Sequence, residues 1–321
     1  MQPLSAKTIE NKILENYFEY QNLFIEFQSK FLSSLYFRYQ SIENGNLALY
    51  YAKQTHQDIL RQKDYNLNFD LSYEKLWINH NEINPRQIPI IKIATETHLP
   101  KETTRRKILQ LIKQKVLNKK NRNIGWLPNE KYKQSYNLFI NEEIKDVTKL
   151  ICFVSEKINL FISSEATTKE LKKKFSFYWF HYLDAQLKYF SLWSKQFKDL
   201  DLILIFLQVA CLFISKAKKK NLSHKALYND PSLLKEFISA SISATAISEV
   251  TKIPRATCVR KLETLVKLKI ILKDEITKRY YMIPYALEKN LISQKKTKDV
   301  VKLFSEFYFI CLRAITIRTS N

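Results

Sequence analysis

The chain has 321 residues, with 53 Lys+Arg against 31 Asp+Glu, a formal net charge of +22, and 45% hydrophobic residues. That length and apolar content support two ordinary domains with cores of their own and exclude a disordered basic tail. Only two glycines occur, Gly45 and Gly125, which excludes phosphate-cradling loops, dinucleotide fingerprints and turn-rich β architectures, since each needs several glycines at fixed places.

The N-terminus, MQPLSAKTIENKILENYFEYQ, has no basic region leading into an apolar one, and no signal peptide is expected. An aromatic-rich helical stretch runs from Phe18 to Ala52. Around residue 93 a short helix leads into a turn before Pro100, and a longer helix follows. Its apolar positions Ile108, Leu111 and Ile112 make one buried face, and Lys101, Arg105 and Lys113 lie opposite. Next come Val116-Leu117, a polar tip from Asn118 to Asn123, and Ile124-Gly125-Trp126-Leu127, which read as a hairpin.

Glu165-Ala166-Thr167-Thr168 is a plausible joint. A second aromatic stretch runs from Phe175 to Ala210. Within it begins the most apolar run, Leu202–Ile214. It is shorter than the ~20 residues of a membrane span, and Gln208 interrupts it, so a buried helix is expected and no membrane partner. A turn before Pro254 opens another long helix, with Leu262, Leu265 and Val266 on its apolar face and Arg255, Val259 and Lys267 opposite. A second hairpin is expected from Ile270-Ile271-Leu272, a tip at Lys273 to Lys278, and Arg279 to Ile283.

These segments repeat. Residues 93–119 align without a gap on 247–273 at an offset of 154, with ten of 27 positions identical, among them Pro100/Pro254, Thr103/Thr257, Arg106/Arg260 and Lys107/Lys261. Lys145–Leu150 returns as Lys298–Leu303. The chain therefore reads as two copies of one unit, 1–165 and 166–321. Each carries helix, turn, helix and hairpin, the layout of a winged helix-turn-helix, at about 71–130 and about 230–285. The expected fold is mainly α with small β-hairpin wings and flanking aromatic-rich helices.

The segment Pro254-Arg255-Ala256-Thr257-Cys258-Val259-Arg260-Lys261-Leu262, with Leu265 and Ile270-Ile271, resembles the recognition-helix region of bacterial MarR- and IclR-type winged-helix regulators. Copy one matches through Pro100, Thr103, Arg106, Ile108 and Leu111. Lys115 and Lys269 stand where those regulators carry a glycine before the wing. The resemblance implies a recognition helix in the major groove of double-stranded DNA. It also implies terminal helices that form a dimer interface, here supplied by one chain acting as a monomeric pseudo-dimer with pseudo-twofold symmetry.

The charge agrees with that reading. Residues 101–122 carry nine Lys/Arg and one acid, and residues 252–279 carry nine and three. The candidate contacts in copy one are Lys101, Glu102, Thr103, Arg105, Arg106 and Lys107 on the helix, with Lys119, Lys120 and Arg122 on the wing. In copy two they are Arg255, Thr257, Val259, Arg260 and Lys261, with Lys278 and Arg279. Arg can pair bidentately with guanine, whereas Lys meets phosphates and adds affinity without sequence information. Capping is as open as phosphate contact for the two threonines. Asp274 and Glu275 at the tip of wing two repel phosphate, so copy one is expected to supply more affinity.

No His, Cys or acid has metal-ligand spacing, and no catalytic set is recognisable, so neither an enzyme nor a cofactor is expected. The four cysteines suit small buried hydrophobes in a reducing, cytoplasmic setting. The aromatic stretches are read as core, with a pocket for a small aromatic effector as the alternative. The function expected is a sequence-specific transcriptional regulator. The alternatives are a plasmid-type replication initiator with two winged-helix domains, or an architectural protein using such domains for protein contacts.

Overall fold

Helices dominate the computed structural model, which describes residues 4–83, 85–126, 130–195, 197–219, 234–282 and 294–319. In chain order they are α1 (Ala6–Glu15), α2 (Tyr17–Tyr39), α3 (Ile42–Tyr65), α4 (Leu76–Glu82), α5 (Ile90–Thr97) and α6 (Lys101–Lys113). The hairpin β1 (Leu117–Lys120) and β2 (Asn123–Trp126) follows, then α7 (Glu130–Lys157), α8 (Ser164–Lys173), α9 (Phe175–Ser194) and α10 (Asp201–Lys219). The remainder is α11 (Leu234–Ser239), α12 (Ala244–Thr251), α13 (Arg255–Lys267), the hairpin β3 (Leu272–Lys273) and β4 (Tyr280–Tyr281), and α14 (Gln294–Thr319).

Compactness divides the chain into two units that do not follow its contiguous halves. Unit one holds residues up to Ile13, Glu43–Lys195 and the chain from Lys302; unit two holds residues 14–42 and 196–301. Unit one thus includes α9, from beyond the sequence joint, and unit two includes α2, from before it.

In unit one α9 packs on α5. Its core is aromatic: Phe175 stacks on Trp179 at 4.7 Å between ring centroids, and Tyr189 meets Phe304 edge-on at 6.2 Å. In unit two α2 lies against α10 and α12. The Gln208 amide that breaks the apolar run of α10 is buried and donates to the Ser29 hydroxyl of α2 at 2.8 Å, which removes the cost of an unpaired polar group. Both aromatic stretches are therefore mostly core, although Phe37 is 54% exposed. Among the described residues no helix is long and apolar enough to cross a membrane.

The first hairpin has a longer ladder than its sequence suggested. Lys120 pairs with Asn123, so the tip is only Asn121-Arg122, and Asn121 takes the left-handed conformation with φ 57°. Leu127 lies outside the described residues. Gly125 in β2 has a definite reason to lack a side chain, because a Cβ there would come within 2.8 Å of the Pro85 ring. The second hairpin pairs only Leu272 with Tyr281 and Lys273 with Tyr280, so Ile270 and Ile271 are core without being strand. Ile242 bridges Tyr280 on its other side. Ile283 and residues 220–233 lie outside the described residues.

Candidate nucleic-acid interface

The helices α6 and α13 begin just after Pro100 and Pro254, whose extended backbone (ψ 141° and 134°) starts each helix without a side-chain cap. Thr103 and Thr257 do not cap; both are half-buried, and neither hydroxyl makes a hydrogen bond among the described residues. The first-turn N–H groups of α6 lie beside exposed Lys101, Glu102 and Arg105. The buried Thr104 hydroxyl donates to the Pro100 carbonyl at 3.1 Å and the Leu99 carbonyl at 3.5 Å, and the buried Cys258 thiol donates to the carbonyl of Ile253, the counterpart of Leu99, at 3.5 Å.

Each helix ends in a left-handed lysine, Lys115 with φ 58° and Lys269 with φ 56°. The two ends have the same hydrogen bonds: Lys115 N–H to Ile112 O and Val116 N–H to Leu111 O, Lys269 N–H to Val266 O and Ile270 N–H to Leu265 O. This double closure satisfies carbonyls that a helix end leaves free. The turn before each helix is left-handed too, at His98 and Lys252. His98 is anchored to α9 through Nε2 and the Ser191 hydroxyl, 2.5 Å apart.

Eight cations of α6 and its hairpin are exposed: Lys101, Arg105, Arg106, Lys113, Lys115, Lys119, Lys120 and Arg122. None of these eight side chains makes a hydrogen bond or ion pair among the described residues. The sequence reading had not placed Lys113 and Lys115 among the contacts, although both belong to identical pairs in the repeat.

The second helix and hairpin spend part of their charge internally. Arg255 Nε donates to the Thr245 hydroxyl, and the Arg279 guanidinium to the Ser241 carbonyl at 3.0 Å. Lys273 pairs with Glu263 at 2.8 Å and Lys278 with Glu275 at 2.9 Å. The Lys273 and Tyr280 side chains hold the Glu263 carboxyl below its usual range by hydrogen bonding. Asp274 is turned inward on its own loop, accepting from Thr277 N–H and hydroxyl. The side chains of Arg260, Lys267 and Lys269 remain exposed without a hydrogen bond or ion pair among the described residues, and Val259 is half-buried.

Two expected contacts face the protein instead. The Lys107 side chain is 13% exposed, and its ammonium lies 3.0 Å from the Glu43 carboxylate and 3.2 Å from the Asn44 side-chain oxygen. The Lys261 side chain is 7% exposed and pairs with Asp199 and, at 3.2 Å, with Asp201. Burial pushes the Asp201 carboxyl up, while Lys261 and the Ile42 N–H pull it down. Each lysine faces back toward the first turn of a long helix, α3 or α10. The identity of Lys107 and Lys261 in the repeat therefore marks a packing contact.

No protein-family model, curated protein or solved structure matches this chain.

Beside β1 and β2, unit one has a cavity of about 220 Å³ lined by Tyr51, Asp58, His80, Arg86, Lys120 and Trp126, among others. His80 Nε2 faces the Trp126 carbonyl, which places the ring proton on Nε2. Burial holds the His80 imidazole below its usual range.

Proposed function

We propose that the chain is a sequence-specific double-stranded DNA-binding protein of the winged-helix kind, acting as a transcriptional regulator. The observation that carries this is the set of eight exposed cations on α6 and its hairpin, none of them paired within the described protein. Cations left unpaired on one helix and hairpin are suited to phosphates, and each phosphate neutralised releases condensed counterions. Arg105, with its planar fork of donors, is the residue of α6 best suited to a guanine edge.

In this reading one chain is the binding unit and its two readers differ. Lys101-Glu102 becomes Arg255-Ala256, and Arg105 becomes Val259. The bound site therefore has two unlike halves, with α6 and its hairpin supplying most of the backbone affinity.

The test is selection of binding sites from random duplex DNA, followed by a salt titration of the selected site. A single site with unlike halves, and affinity falling steeply with salt, is the expected result. Iterated direct repeats would move the reading to a replication initiator. Absence of duplex binding at low salt would overturn it.

A further inference from the structure

Unit one has a second cationic surface, away from α6. A cleft of about 700 Å³ lies between the segment after α3 and the end of α8. Its walls are fixed by backbone: Tyr73 N–H donates to Lys172 O at 2.9 Å and Ser176 N–H to Leu71 O at 3.0 Å. The Lys63 ammonium donates to the Phe69 carbonyl at 3.0 Å and to the Leu67 carbonyl, which pins the loop that forms one rim.

Lys169, Lys172, Lys173 and Lys174 line the other side. None of these four side chains makes a hydrogen bond or ion pair among the described residues. Two acids, Asp70 and Glu74, also line the cleft, yet neither is ion-paired to a lysine there. Asp70 is spent on the Ser72 N–H at 2.8 Å. Lysines at a helix C-terminus favour the dipole, but that accounts for the last turn of α8 and not for four amines sharing one volume. A ligand carrying several negative charges would relieve their mutual repulsion, and compact ammonium groups suit phosphate.

We propose that this cleft binds consecutive phosphate groups. Two sources share that chemistry: the backbone of a duplex continuing past α6, and a free oligophosphate. Twenty residues of α3 separate Glu43, which holds Lys107, from Lys63, about 30 Å at 1.5 Å per residue. A duplex reaching both surfaces must therefore extend roughly nine base pairs beyond the α6 site, at about 3.4 Å each. The duplex arm rests on the DNA-binding reading, and the oligophosphate arm does not.

The experiment uses the full chain and the double variant Lys172→Gln, Lys173→Gln, with Lys169→Gln, Lys174→Gln as a second pair should the first melt early. In the first arm, sodium tripolyphosphate is titrated by calorimetry. In the second, affinity is measured against salt for the selected DNA core and for that core extended by about ten base pairs on either side. Tripolyphosphate binding weakened at least fivefold by the variant, and unchanged by Arg105→Ala, identifies a free oligophosphate site. A salt slope reduced by about two on extended DNA, and unchanged on the core, identifies the backbone as the source. No effect of either variant in both arms overturns the cleft, even where the core duplex binds. Failure of all duplexes to bind removes the DNA-binding reading and leaves the tripolyphosphate arm to decide the cleft.

Discussion

Four turns around α6 and α13 place non-glycine residues in the left-handed region: His98, Lys115, Lys252 and Lys269. A side chain in that conformation costs about 1–3 kcal/mol, and glycine removes the cost while losing roughly 0.5–1 kcal/mol of unfolded-chain entropy. Lys115→Gly should therefore raise stability by about 1 kcal/mol, read as a melting rise of a few degrees. A fall in melting temperature would contradict this account of the helix end. His56 of α3 makes the opposite kind of statement. It is wholly buried against Phe175, at 5.5 Å between rings, and neither ring nitrogen finds a partner among the described residues. Burial, with His80 nearby, pushes its imidazole down to about 3. The unfolded chain takes up that proton near pH 6.5 and the folded chain does not, so stability falls as pH drops from about 6.5 toward 3. His56 alone should cost about 2 kcal/mol between pH 7 and pH 5. Melting His56→Phe alongside the parent at both pH values checks it, since the variant should lose less on acidification.

At the scale of elements, the same basic helix carries two kinds of cation. Lys107 and Lys261 hold α6 and α13 to acidic groups at the start of α3 and α10. Arg105, Arg106 and Arg260 make no such contact. Removing one partner of a largely buried ion pair costs about 3–5 kcal/mol, and the partial exposure of Asp199 (46%) puts Lys261→Ala at the low end. Lys261→Ala should therefore lower the denaturation midpoint with little loss of DNA affinity in the folded protein. Arg106→Ala should do the reverse: an unchanged midpoint and a DNA salt slope shallower by about one. Equal effects of the two variants on stability would show that the division of roles is mistaken.

At the scale of the molecule, neither half of the sequence contains a whole compact unit. Unit one needs α9, and unit two needs α2, whose Tyr20 and Phe31 are among its fully buried aromatics. A chain divided in the loop between α7 and α8 should yield two fragments that each lack a core helix. Circular dichroism should show weak, uncooperative melting for each fragment alone and a cooperative transition after mixing. A fragment that melts cooperatively as a monomer would show that the exchanged helices are dispensable.

Periodicity made α6 and α13 legible, because Ile108 and Leu111, like Leu262 and Leu265, follow the 3.6-residue repeat that a buried helix face imposes. The mainly helical class and the two hairpins were legible for the same reason: local pattern and turn chemistry act over a few residues. Their limits were not, since the ladder from Lys120 to Asn123 depends on Asn121 adopting a positive φ that several residue types can take. Composition also could not divide one lysine from another. Arg106-Lys107 and Arg260-Lys261 read alike in sequence, yet the second member of each pair is ion-paired and the first is exposed. That division depends on which acids the fold carries next to each helix. Glu43 and Asp201 are 64 and 60 residues away from their lysines, so only tertiary packing decides it. Local spacing determined which face of each helix is apolar, and the packed chain decided which charges remain for a ligand, because an ion pair depends on distance in space and not on position along the chain.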